Sequence, residues 1–229
     1  MAIYLGLDIA TKTGYSILED GVLKSYNTIN INPEMNLPQR LAFLSTEITR
    51  LLDNHKPDYC CIEEVIMAMS GPKVMRYLSR LNGVAIQTCY SILKDSVVLY
   101  EPSYWKKNSF PGLNGSSPKW QIQLACIKYF NISVQTLSIE EVVNYVATTE
   151  KSIEDKKEEI RNFKKLLKKQ PEITTSIDQK KSEIKLQEKQ FDLKMKQISL
   201  DIVSQTGMTE DICDSCGIAL CGYKETVSK

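Results

Sequence analysis

Met1-Ala2-Ile3-Tyr4-Leu5-Gly6-Leu7-Asp8-Ile9-Ala10-Thr11-Lys12-Thr13-Gly14-Tyr15 sets an apolar run directly before a carboxylate. Ala2 to Leu7 reads as a strand. Thr13 to Leu18 and Val22 to Asn27 are two more short apolar or β-branched runs behind turn signals, so the three predict an antiparallel meander. Asp8 then stands at the end of a central strand, where a carboxylate is costly unless something cationic compensates it. Outward from the meander, Leu41, Leu44, Ile48, Leu51 and Leu52 fall on one side of a helix over Leu37 to Leu52. Tyr59 to Val65 reads as a buried strand containing Glu63, Pro72 to Leu93 as a long helix, Ser96 to Tyr100 as a strand, and Pro118 to Phe130 as a helix after a Gly-, Ser- and Asn-rich loop at Gly112 to Ser117. That succession is an α/β order.

The composition is that of an ordinary globular chain: 229 residues, 42% hydrophobic and 25% charged. No apolar run approaches the roughly 18 residues a membrane span needs, and the N-terminus lacks the order of a signal peptide. The expected location is the cytosol, or the equivalent compartment of an infected host. Seven cysteines, an odd number mostly flanked by apolar residues, read as reduced and buried. Cys213 and Cys216 form a C-x-x-C with Cys221 nearby, but there is no second ligand pair of similar spacing and only one histidine, His55, so a zinc site is not expected.

From about Ile139 to Val203 the composition shifts to Lys, Glu, Gln and Ile. Ile139, Val146, Ile153, Ile160 and Leu167 recur every seven residues, as do Ile177, Ile184, Phe191 and Ile198. A break from Gln170-Pro171 through Ser176 separates the two runs, which predicts an antiparallel coiled-coil hairpin with arms on the order of 40 Å. Residues 150–200 hold 14 Lys and Arg against 10 Asp and Glu, so a whole-chain charge of +1 leaves the remainder net negative. A polyanion site in that remainder must be a local patch or work through metal ions. Thr209 to Tyr223 reads as a short amphipathic helix with Thr209 as N-cap.

Asp211 and Asp214 are i and i+3 on that last helix and share a face. Asp8 and Glu63, at the ends of neighbouring strands, are placed to meet them. Four carboxylates in one site repel unless divalent cations neutralise them, and all-oxygen ligands select Mg²⁺ or Mn²⁺. Taken separately, an i, i+3 acidic pair also reads as a helix cap, and Glu63 or Glu64 as a solvated side chain.

The order of these residues resembles a known family. Met1 to Tyr15, Pro57 to Ala68 (PDYCCIEEVIMA), Gly83 to Ile86 (GVAI) and Asp211 to Ala219 (DICDSCGIA) are similar to the RuvC Holliday-junction resolvases over most of residues 1–130 and 209–222. The resemblance implies a ribonuclease H-like mixed sheet flanked by helices, with a nuclease core at 1–135 and 207–229 and the helical hairpin inserted at 139–203. It implies a homodimer that resolves four-way DNA junctions by Mg²⁺-dependent paired nicking, leaving 5′-phosphate and 3′-hydroxyl ends. Two Mg²⁺ ions per site, replaceable by Mn²⁺, would be held by Asp8, Glu63, Asp211 and Asp214. Lys119 and Lys106, with the adjoining Lys107, match the family's basic residues near the scissile phosphate. Whether forks and flaps join four-way junctions as substrates is a question the sequence leaves open.

Three departures qualify the resemblance. Ile66 stands where the family carries a phenylalanine that stacks on junction bases, leaving an aliphatic wedge. The loop after Asp8 is one residue shorter, with Ala10 in place of a glycine. The hairpin replaces a short loop, which suggests a phage or viral relative. Its readings include binding flanking duplex, touching a partner, lengthening the dimer interface, or a solvated coiled coil whose charges keep it soluble. Two other functions compete: a catalytically idle junction-binding scaffold acting through the hairpin, against which all four acids are present, and an actin-like nucleotide-binding module, against which the chain has no second copy of the phosphate-loop motif.

Overall fold

Strand β1 (Ile3–Asp8) presents two different faces, because successive side chains alternate across a sheet. Leu5 and Leu7 point into the main apolar core, whereas Gly6 points the other way, at the backbone of a C-terminal helix. By the same alternation Asp8 belongs with Gly6. β2 (Lys12–Glu19) pairs antiparallel with β1, and β3 (Val22–Asn30) antiparallel with β2. The short turn after Asp8 is closed by Thr13, whose Oγ1 donates to the Ala10 carbonyl at 2.8 Å and accepts from the Ala10 N–H at 3.2 Å.

The chain crosses over through α1 (Leu37–His55) to β4 (Tyr59–Glu63), which lies parallel to β1 with Leu7 opposite Ile62. Asn36 caps α1 in a capping box with Gln39. A second crossover, α2 (Pro72–Leu93), leads to β5 (Val97–Tyr100), completing a mixed sheet of order β3-β2-β1-β4-β5. Leu44, Ile48, Leu51 and Leu52 of α1 and Leu81, Ala85 and Cys89 of α2 close the core over Leu5, Leu7, Ile17, Cys60 and Ile62. Burying an aliphatic side chain of this kind contributes about 1.5–3 kcal/mol.

Two short helices follow, α3 (Pro102–Asn108) and α4 (Lys119–Tyr129). The sequence predicts no element at α3, a seven-residue helix too short to show a period. The strand expected from Ser96 begins at Val97, because Lys94–Ser96 forms a 3-10 turn. The other sheet face is covered by α7 (Glu210–Val227), which packs on β1, β2 and β4. It approaches closely because two glycines admit it: a Cβ on Gly6 would meet the Ser215 carbonyl oxygen at 2.1 Å, and one on Gly14 the Asp211 carbonyl oxygen at 2.0 Å.

This computed structural model describes residues 1–66, 71–135, 138–166 and 174–228. They fall into two compact units, Met1–Ser133 with Gly207–Lys229, and Val134–Thr206. The second unit consists mainly of α5 (Ile139–Leu166) and α6 (Thr174–Thr206). They pair antiparallel through Lys156 to Gln187 at 2.9 Å, Lys157 to Glu188 at 2.9 Å and the stacked rings of Tyr145 and Phe191. Ile153, Ile160, Ile177 and Ile184 form the apolar seam, with Phe163 against it. Val142, Met195 and Ile202 are also buried, a second set the seven-residue spacing does not announce, while Ile139 and Val146 are only half-buried. Leu167 and the first part of the predicted break, Gln170 to Ile173, lie outside the described residues, as do Met67 and Ala68 of the PDYCCIEEVIMA motif. All seven cysteines are free thiols and buried. No helix among the described residues is long and apolar enough to cross a membrane.

Candidate active site

Strand alternation carries Asp8, the last residue of β1, and Glu63, the last of β4, to the same end and the same face of the sheet. Helix α7 arrives over that face with Asp211 and Asp214 in its first two turns. Its start is fixed twice. Thr209 Oγ1 accepts from the Ile212 N–H at 3.4 Å, and Gln123 of α4 donates through Nε2 to the Met208 carbonyl at 2.8 Å. A cavity of about 290 Å³ results, lined by Asp8, Glu63, Asp211 and Asp214 together with Lys106, Lys119, Glu64 and Ile66.

The electrostatics are strongly anionic. Burial pushes the Asp8 carboxyl well above the usual carboxylate range, and Glu63, Asp214 and Asp211 push it the same way. Asp214 is pushed up to about 7, first by burial; Lys119 opposes this, and Glu63 and Asp211 add to it. Glu63 is also raised by burial, held back by a hydrogen bond from Trp105 and by Lys106 and Lys119. Lys119, at the start of α4, answers the acids: its ammonium lies 3.5 Å from Glu210 and 4.0 Å from Asp211. Burial alone would lower the Lys119 pKa, yet Asp214, Glu210, Asp211 and Asp8 together leave it above the ordinary value.

Of the residues singled out by sequence, Lys107 is the exception. It is exposed and does not line the cavity, because it follows Lys106 on α3 and projects elsewhere. Ile66 does line it and remains 39% exposed, an aliphatic side chain at the rim. Sequence reading missed the supports of Glu63. The Trp105 indole donates to Glu63 Oε2 at 2.7 Å, and Asn82 of α2 donates to the Glu63 carbonyl at 2.8 Å. Tryptophan beside Lys106-Lys107 was a signal; Asn82, midway along a helix, left none.

The chemistry of the donors fits a divalent cation. Four carboxylates facing one cavity supply oxygen ligands only, as a hard cation requires. Asp214 Oδ1 is buried without a hydrogen-bond partner, the condition of an acceptor awaiting a cation. Among the described residues no three His, Cys, Asp or Glu side chains close on one point tightly enough to grip an ion. Among the described residues, Cys213 and Cys216 form no such group either.

A mixed sheet of this order, capped by a helix that brings acids to the end of the central strand, defines the ribonuclease H-like class. The chain belongs to the RuvC family: the model described as crossover junction endodeoxyribonuclease RuvC matches residues 4–150. That match takes in Asp8, Glu63, Lys106 and Lys119 but stops before Asp211 and Asp214, which only the fold returns to the cavity. Among solved structures the chain is similar to Thermus thermophilus RuvC (15% identity, 57% of this chain and 81% of that one, TM-score 0.48). It is also similar to T. thermophilus RuvC in complex with a Holliday junction substrate (12% identity, 58% and 81%, TM-score 0.49). The yeast mitochondrial Holliday junction resolvase Ydc2 aligns with 99% of this chain and 80% of its own at 13% identity and a TM-score of 0.41.

Proposed function

We propose that this chain is a structure-selective endodeoxyribonuclease that resolves four-way DNA junctions by paired, Mg²⁺-dependent nicking, leaving 5′-phosphate and 3′-hydroxyl ends. The observation that carries this reading is the convergence on one cavity of four carboxylates from three distant parts of a RuvC-family chain, with Lys119 set against them. Asp8, Glu63, Asp211 and Asp214 would hold two Mg²⁺ ions, with Mn²⁺ as a substitute. When bound, such ions activate water and neutralise charge on the leaving oxygen.

The remaining work belongs to the side chains. Lys119 and Lys106, the cations of the cavity wall, stabilise charge that develops on the scissile phosphate. Ile66 at the rim is an aliphatic wedge for a base step. Lys107, exposed on α3, serves the DNA backbone outside the cavity. A homodimer would supply the second nick, its twofold axis matching that of the junction.

The test is cleavage of labelled four-way junction, three-way fork and linear duplex by the purified protein, with Mg²⁺ or EDTA and an Asp8→Asn control. Symmetric, Mg²⁺-dependent nicks in the junction that vanish in the variant are expected. The fork lanes measure substrate breadth. Tight junction binding without cleavage would overturn the nuclease reading in favour of a binding scaffold.

A further inference from the structure

Glu63 sits in tighter surroundings than its place at a strand end requires. Its carbonyl accepts from Asn82, and the next peptide N–H, that of Glu64, is tied to the Tyr100 carbonyl at 2.9 Å. The backbone is therefore held from α2 and from β5. Its side chain is held from a third direction, by the 2.7 Å hydrogen bond from the Trp105 indole to Oε2.

Trp105 is fully buried, and its ring touches other parts of the same site. Gly217 of α7, three residues beyond Asp214, lies directly against it: a Cβ there would come within 2.6 Å of the ring. The Lys106 ammonium stands 5.6 Å from the ring centroid, and the same lysine lines the cavity. One rigid side chain is thus wedged between the strand that carries Glu63 and the helix that carries Asp214.

Indole suits such a place. It donates one hydrogen bond, accepts none and carries no charge, so it occupies a lone pair on Oε2 without competing for a cation and leaves Oε1 free of that bond. A ligand carboxylate that is already oriented loses less conformational freedom when an ion arrives, which is how outer-shell hydrogen bonds raise metal affinity.

We propose that Trp105 is a positioning residue for divalent-cation binding: its indole N–H holds the Glu63 carboxylate in the arrangement that receives the ion, and its packing on Gly217 keeps Asp214 in register with it. This rests on reading the cavity as the metal site of a nuclease. It assigns Trp105 no contact with DNA.

The test uses Trp105→Phe in the full chain, which keeps an aromatic ring against Gly217 and removes the N–H. MnCl₂ is titrated calorimetrically without DNA, and the rise in melting temperature with Mn²⁺ is measured in parallel. The dissociation constant is expected to rise about ten-fold or more, while the cation-free melting temperature stays within a few degrees of wild type. Junction cleavage should need correspondingly more Mg²⁺ but recover at saturation. Unchanged Mn²⁺ affinity would overturn the proposal. If the phenylalanine variant does not fold, β-(3-benzothienyl)alanine at 105, which keeps the ring shape without the N–H, decides the question by the same titration. Glu63→Gln separates the two levels. Loss of Mn²⁺ binding there with wild-type binding in Trp105→Phe sinks the positioning role alone, whereas a wild-type protein that binds no Mn²⁺ sinks the nuclease reading with it.

Discussion

Charged residues are handled in opposite ways by the two units. In Val134–Thr206 they stand on the outside of two helices, as in the exposed Arg161 and Glu154 pair, over a seam of isoleucines. In the sheet unit, Asp214 is 7% exposed and Asp8 is crowded by three other acids. Exposed charges are nearly neutral for stability, whereas buried like charges oppose folding until something neutralises them. The helical unit keeps its charges on the outside; the sheet unit, beside exposed pairs such as Arg50 with Glu47, also buries a small group of acids against one another.

The contrast can be broken most severely at Asp8. Asp8→Asn is expected to lower junction cleavage by on the order of 10³-fold or more, as the loss of a site's metal-binding charge does; retained cleavage would remove Asp8 from the chemistry. Next in size is Gly14→Val, which drives a side chain into the backbone of α7 at Asp211. A loss of about 3 kcal/mol, read by urea denaturation, is expected from such overpacking. Ile184→Asp should cost about 2–4 kcal/mol in the helical unit, exposing α5 and α6 to hydrogen exchange while β1 and β4 stay protected. Simultaneous loss of protection in both units would erase the distinction between them.

A subtler test bears on the acids themselves. Since the folded-state pKa of Asp214 lies near 7, above its ordinary 3.8, the folded state binds that proton more tightly than the unfolded one. Stability from this group is thus full at low pH and falls as pH rises toward and through 7. Asp214→Asn should raise the melting temperature of the metal-free protein at pH 8 by a few degrees, and by less at pH 5.5, in a thermal melt with EDTA. The smallest effect is reserved for Glu154→Gln, within about 0.5 kcal/mol; a larger loss would mean that the exposed charges of α5 carry more than solvation.

Much of the sheet and its acids could be read from residue order. Asp8 and Glu63 end apolar runs, and Asp211 and Asp214 share a helix face, so each carried its own local anomaly. The reason they could meet was hidden. Gly6 and Gly14 matter only because a helix some 200 residues later needs the space their missing side chains leave, and no local pattern encodes a distant partner's approach. Trp105 stood out beside two lysines, but its partner did not: α3 is too short to show periodicity, and its link to Glu63 spans 42 positions. In the helical unit the seven-residue rhythm announced Ile153, Ile160, Ile177 and Ile184, but not Met195 or Ile202, because the intervening seam positions include polar residues that mask the second row.

The placement of the 134–206 unit between α4 and α7 also has a consequence for synthesis. Asp8 leaves the ribosome about 200 residues ahead of Asp211, and Glu63 about 150. At roughly 5–20 residues per second, the sheet waits on the order of ten seconds or more with Gly6, Gly14 and Cys61 uncovered on one face. Throughout that interval the nascent chain has half its acids and none of the lid that aligns them. Until α7 emerges, the four acids cannot be gathered in one cavity.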